Sequence, residues 1–211
     1  MGIFDTAAAA QWHAMILADA ILHKDDPNWP QPVDLDGDGK QDLVYLGSAE
    51  RERRFGPLDW VAVEGNASAI RITNDFVTSK IVTVHVPQLV GLDCYGSPFK
   101  GNVRFHKAAA QPLLNAFAEI EAAGMLPLVK TWGGSFVPRR IRGKTTLSNH
   151  AFGLAFDINM KWNGLGKVGA LAGEVGTVRP LVPIFEKHGF YSGIWYRSRQ
   201  DGMHFEYVGR A

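Results

Sequence analysis

Two short glycine-containing segments constrain this chain more than any other part of it. They are Ser148-Asn149-His150-Ala151-Phe152-Gly153-Leu154-Ala155-Phe156-Asp157-Ile158-Asn159 and Asp201-Gly202-Met203-His204-Phe205-Glu206. In the first, strand alternation sends Leu154 and Phe156 to one face and Ala155 and Asp157 to the other. In the second, the alternation of residues 203–208 puts His204 and Glu206 on one face and Phe205 and Tyr207 on the other. A carboxylate turned into a site from a mostly apolar strand needs a partner, because burying it alone is costly.

Any one of these residues, taken singly in a loop, reads as solvated or capping. Two histidines and two carboxylates at this spacing point instead to a cation. Zinc in a catalytic site takes three protein ligands from His, Asp or Glu and leaves one position for water. His150, Asp157 and His204 provide such a set. Asp201, three residues before His204, is near enough to face the water without ligating the metal, and a carboxylate there can accept and return a proton.

The rest of the chain bounds the setting. With 211 residues it is one ordinary domain or a domain with an extension, long enough to bury a core without staples. Its 46% hydrophobic and 20% charged residues exclude a disordered, collagenous or coiled-coil chain. Lys plus Arg number 22 against 21 acidic residues, so a nucleic-acid binder working by bulk charge is excluded. Arg51, Arg53, Arg54 and then Arg139, Arg140, Arg142 are the candidates for a local basic patch. The single cysteine, Cys94, permits no disulfide within the chain and no thiolate cluster, and reads as a small buried hydrophobe. No apolar run is long enough to span a membrane. The apolar stretch at Ala7–Ala10 and residues 15–17 lacks a preceding Lys or Arg and is interrupted by Gln11, His13 and Asp19, so no signal peptide is read there. The expected state is a monomer.

Periodicity predicts a helix over 3–23, with Trp12, Met15, Ile16, Asp19 and Leu22 on one stripe and Leu17 and Ile21 beside it. Residues 31–50 read as turn-rich and acidic, and 51–105 as strands and loops, with strand character at 61–63, 70–72 and 80–86. Helices are expected at 106–123, closed by Gly124, and at 176–188, stopped by Gly189. Strands are expected at 127–132 and 203–208. The fold class is therefore α+β: a small antiparallel sheet with flanking helices around a zinc site, in a domain from 56 to 211, preceded by a helical extension over 1–55.

The pattern S-x-H-x-x-G-x-A-x-D followed by D-x-M-H-F-E resembles the zinc peptidases of peptidoglycan, the D-alanyl-D-alanine carboxypeptidases and L-alanyl-D-glutamate endopeptidases. The hedgehog signalling domain is related to them in its site. The resemblance covers roughly residues 80–208. It extends to Val86-Pro87-Gln88-Leu89, the helix from His106, the stretch from Gly133 to Arg139, and Gly189-Phe190 with Gly193 and Trp195. Residues 1–55 match nothing in that family.

The resemblance implies that His150, Asp157 and His204 hold Zn²⁺ and that Asp201 is the general base and then the general acid. Arg139, or next Arg142, would stabilise the developing oxyanion. Ser148 would orient the loop or a ligand, and Asn159 and Glu206 would support the site from behind. Trp195 reads equally as a wall of the substrate cleft or as a core tryptophan. Asp at the base position, where many relatives carry Glu, favours an L-Ala–D-Glu endopeptidase over a D-Ala–D-Ala carboxypeptidase. The partner is then the bacterial wall peptide, reached after holin release, as for a phage endolysin, or by other export. A competing class is an inert zinc-containing wall-binding module, against which the retained Asp201 speaks.

A second ion is suggested by Asp34, Asp36, Asp38, the Lys40 carbonyl and Asp42, which follow the spacing of a calcium loop. Tyr45 stands where an EF-hand requires a bidentate Glu, so the loop is not a complete EF-hand. Two readings stand side by side: a Ca²⁺ loop tying the extension to the domain, or an acidic Asx-turn loop.

Overall fold

The computed structural model describes residues 6–32, 34 and 37–209. Helix α1 (Thr6–Leu22) forms where Ala, Met and Leu favour it. Its inward stripe differs from the expected one. Ile16 and Ala20 are buried with His13, and Trp12 is half-buried, whereas Met15, Leu17, Ile21 and Leu22 face outward. Apolar residues surround this helix, so spacing alone selects no face. The selection comes from polar partners: His13 faces Glu119 at 3.6 Å, the Lys187 ammonium lies 4.7 Å from the Trp12 ring centre, and Trp29 Nε1 donates to Asp19 at 2.7 Å.

Helix α2 (Ser48–Phe55) occupies ground expected to be turn and strand. Glu50 pairs with Arg53 and Arg54 at the i+3 and i+4 positions that steady a short helix, while Arg51 and Phe55 turn inward. The run of arginines is thus no open basic patch.

Next come the antiparallel strands β1 (Trp60–Ala62) and β2 (Ile70–Ile72), and the short helix α3 (Phe76–Lys80). Strand β3 (Ile81–His85), the small hairpin β4 (Asp93–Cys94) and β5 (Ser97–Pro98), and β6 (Asn102–His106) follow. β3 and β6 pair antiparallel from Ile81↔His106 to His85↔Asn102. β6 runs directly into α4 (Lys107–Ala122), with His106 as the capping residue.

The strand expected at 127–132 is absent. A 3-10 turn, Leu126–Leu128, stands there, followed by single bridges Asp93↔Thr131 and Trp132↔Ile158. Pro127 has no N–H and a fixed φ, which suits a turn better than a ladder. The helix expected at 176–188 is likewise shorter. Another 3-10 turn, Arg179–Leu181, leads into α5 (Val182–Lys187), with Pro180 and Pro183 each in the first turn of its element, where a missing N–H breaks no helical bond.

Strands β7 (Ala155–Asp157), β8 (Phe190–Ser192) and β9 (His204–Tyr207) form a three-stranded antiparallel sheet in the order β7-β9-β8. Its inner face is aromatic. The Phe156 ring stacks near-parallel to Trp132 at 5.6 Å and to Phe205 at 5.4 Å, and Phe117, Phe185 and Phe190 close around it. Ile16, Ala20, Trp29 and Phe55 belong to the same buried cluster, so helices α1 and α2 pack onto this core. The architecture is the expected mixture of helices and small antiparallel sheets with a helical N-terminal segment. Among the described residues no helix is long and apolar enough to cross a membrane.

Candidate metal centre

The register of the three-stranded sheet brings the two motifs together: Asp157 on β7 lies directly across from His204 on β9. Phe156 and Phe205, also paired, anchor the opposite face in the core. His150 arrives from the 3-10 turn Asn149–Phe152 that precedes β7. Ser148 caps that turn, its Oγ accepting from the His150 N–H, and therefore serves the loop's backbone.

Gly153 ends the turn at φ +64°, and a Cβ there would sit 2.7 Å from Ile81 Cδ1 and 3.1 Å from the His106 nitrogen. The His106 N–H donates to the Gly153 carbonyl at 2.8 Å, so glycine lets the turn lie flat against β6.

Three donor atoms converge. His150 Nε2 is 3.2 Å from His204 Nδ1 and 3.3 Å from Asp157 Oδ1, and His204 Nδ1 is 3.0 Å from Asp157 Oδ1. The far nitrogen of each imidazole has an acceptor: His150 Nδ1 donates to the Ser135 carbonyl at 2.8 Å, and His204 Nε2 faces Glu206 Oε2 at 3.4 Å. With the proton drawn outward on each ring, both inner nitrogens present lone pairs to the Asp157 carboxylate. Three acceptors this close repel one another unless a cation joins them.

Burial opposes charge on His204, but hydrogen bonds to Asp157 and Glu206 outweigh it and raise the imidazole to about 10. Burial likewise opposes ionisation of Asp157, yet His150 and His204 hold it far below the usual carboxylate range. Two imidazoles and one carboxylate fit the open three-ligand set of a catalytic zinc site. This is the one group of three or more His, Cys, Asp or Glu among the described residues with ligand atoms close enough to share a metal.

Asp201 stands beside this group. Its N–H donates to the Gly193 carbonyl at 2.9 Å, and its carbonyl accepts from the His204 N–H at 3.0 Å. Gly193 is required by closeness: a Cβ there would lie 2.4 Å from the Asp201 carbonyl oxygen. Asp201 Oδ1 is buried without a hydrogen-bond partner. Burial above all raises the carboxyl to about 6, with His204 and Arg139 pulling down and Asp157 pushing up. A poised, incompletely bonded carboxylate beside a metal set is the pattern of a general base.

Arg139 and Arg142 ride on a hairpin in which the Ser148 N–H donates to the Arg139 carbonyl and the Ile141 N–H to the Thr146 carbonyl. Arg139 is half-buried and its charge reaches Asp201, whereas Arg142 is exposed. Trp195 packs as a core tryptophan, its indole N–H donating to Glu186. The cavity of about 450 Å³ that it helps line includes none of His150, Asp157, Asp201 and His204. Asn159 does not touch the donors. Its amide satisfies four backbone groups, those of Lys130, Thr131, Leu128 and Gly176, and so fixes the surrounding loops.

Tyr95 was missed in the sequence. It sits at φ +52° at the tip of the β4–β5 hairpin and is 74% exposed. Its hydroxyl donates to the Gly133 carbonyl at 2.7 Å, and the Gly133 N–H donates to the Asp157 carbonyl. Burial of that hydroxyl and the Asp157 charge both push it up.

Cys94 is half-buried against the core, and burial followed by Asp93 raises its thiol, which disfavours the thiolate. In the acidic loop, the Asp34 carboxylate accepts from the N–H groups of Gly37, Asp38 and Gly39, and Asp38 pairs with the Lys40 ammonium at 2.6 Å. That is Asx-turn bonding. Asp36 lies outside the described residues.

Residues 142–207 match the family of D-alanyl-D-alanine carboxypeptidases. The match supports the resemblance carried by the two motifs, and its span holds all three donors and Asp201. This peptidase family is zinc-dependent, and its substrates are peptides of the bacterial wall. Neither the curated proteins nor the solved structures yielded a match to the chain.

Proposed function

We propose that this chain is a zinc peptidase that hydrolyses an amide bond of peptidoglycan stem peptides, with His150, Asp157 and His204 as the metal ligands. The observation that carries this reading is the convergence of His150 Nε2, His204 Nδ1 and Asp157 Oδ1, with both outer imidazole nitrogens tied to acceptors. When bound, zinc supplies Lewis acidity and lowers the pKa of water toward neutrality.

The chain's own residues do the rest. Asp201 takes a proton from the attacking water and returns it to the leaving nitrogen. Arg139, half-buried and within electrostatic reach of Asp201, stabilises the charge developing on the carbonyl oxygen. Ser135 and Glu206 hold the two imidazoles in the required tautomers. The exposed Tyr95 ring flanks the Asp157 side of the site. Asp rather than Glu at position 201 supports an L-Ala–D-Glu endopeptidase.

The test is mass spectrometry of purified peptidoglycan after digestion by the zinc-loaded protein, with a chelated control. New N-terminal D-Glu seen only with zinc supports the endopeptidase. Released D-Ala replaces it with a carboxypeptidase. No cleavage overturns the peptidase reading in favour of an inert binding module.

A further inference from the structure

Arg51 is buried on α2, only 2% exposed, and lies outside the stretch that matches the peptidase family. Its guanidinium donates to Asn149 Oδ1, to the Leu147 carbonyl at 3.4 Å and to Ser48 Oγ at 3.3 Å. Its central carbon lies 4.8 Å from the Phe152 ring centre. Leu147, Asn149 and Phe152 bracket His150 on its turn. Leu147 also bridges to Arg140, and the neighbouring Ser148 bonds the Arg139 carbonyl, so one side chain grips the root of both the His150 turn and the Arg139 hairpin.

Helix α2 reaches the other half of the site as well. Arg54 donates to the Val208 carbonyl, just past the strand carrying His204, at 3.1 Å. A buried arginine is costly unless its donors are used, and its planar fork suits several fixed acceptors better than a lysine would.

We infer that Arg51 is a positioning residue for the metal centre. It locks residues 147–152 so that His150 Nε2 is held toward Asp157 and His204. The N-terminal segment is then a built-in brace of the site rather than an appended binding module. This rests on the metal reading of His150, Asp157 and His204.

The test uses the full chain and two variants that cut the same link from opposite sides. Arg51→Met keeps a stem over Phe152 and removes the donors, and Asn149→Ala removes the acceptor. For each, and for the double variant, zinc affinity is measured by chelator competition, the visible spectrum of the cobalt(II) form is recorded, and the metal-free protein is unfolded in denaturant. Loss of an outer support weakens metal binding by about 10–100-fold. That loss, a changed cobalt spectrum, and a double variant no worse than the worse single variant are expected. Folded variants with unchanged zinc affinity and cobalt spectrum, differing only in metal-free stability, would overturn the inference. If Arg51→Met does not fold, Asn149→Ala decides by the same readouts. A wild-type chain that binds no zinc would instead sink the metal reading on which the inference rests.

Discussion

The three-stranded sheet and helix α1 both offer large apolar residues at regular spacing, yet they spend them differently. On β7 and β9 the inward Phe156 and Phe205 are fully buried, and the opposite positions carry Asp157, His204 and Glu206. On α1 the apolar residues encircle the helix, and four large ones, Met15, Leu17, Ile21 and Leu22, remain in solvent. In the sheet, packing and chemistry occupy opposite faces of the same strands, so each residue type reports its face. In the helix no chemistry competes, and composition says little about which side turns inward.

The difference predicts where substitutions bite. The largest effect belongs to the polar face of the sheet region. Asp201→Asn should retain zinc and lose about 10²–10⁴-fold in peptidoglycan turnover, the scale of a lost general base. His150→Ala should lose the metal itself. Metal content by atomic spectroscopy together with a turnover assay separates the two, and an active Asp201→Asn would remove the assigned base. Next comes the apolar face: Phe156→Ala should cost about 3–5 kcal/mol in denaturant unfolding. Its ring touches those of Trp132, Phe205, Phe185, Phe190 and Phe117, leaving no simple way for the site to collapse.

The joint between helix α2 and the β6–α4 corner should be sensitive to acid. His106 caps α4 by accepting the Ala108 N–H on Nδ1, while its Nε2 bonds the Phe55 carbonyl at 3.1 Å. The ring must stay neutral to accept there. Burial, aided by Lys80 and Lys107 and opposed by the Phe55 bond, lowers it to about 4 from an ordinary 6.5. A lowered histidine contributes fully above the unfolded value. Its contribution is lost as pH falls from 6.5 to about 4 and changes no further below that. At full effect the loss is up to about 3 kcal/mol. His106→Gln should flatten that part of the stability–pH curve. Unfolding midpoints of wild type and variant at pH 7.5 and 4.5 check it, and parallel curves would count against a neutral buried ring.

The site was more legible in the sequence than the fold around it. Asp157 and His204 stand on strands whose alternation is local, and His150 and Asp201 lie in the short segments leading into those strands. The strand expected at 127–132 and the long helix expected at 176–188 failed at prolines, where a turn of a few residues overrides a longer periodicity. Helix α2 went unseen because Arg51 reads as surface charge until its acceptors, about a hundred residues later in the chain, are placed beside it. Tyr95 went unseen for a similar reason: nothing near it in sequence announces Gly133 or Asp157. What depends on contacts distant in sequence is not written in a local pattern.

The smallest effect offers the sharpest check on α1. Ile16 and Ile21 share a helix and a residue type, but Ile16 is 7% exposed and Ile21 is 73% exposed. Ile16→Ala should remove a core contact and cost about 2 kcal/mol, the low end for a buried aliphatic at the edge of a core. Ile21→Ala removes side chain that already sits in water and substitutes a better helix former, so stability should stay within about 0.5 kcal/mol of wild type. Had the stripe through Met15 and Leu22 been the buried one, truncating Ile21 beside it would cost far more. Equal losses at the two positions in thermal or denaturant unfolding would mean that α1 buries both faces. A loss at Ile21 alone would mean that the helix is rotated from the orientation set by His13, Glu119 and Trp29.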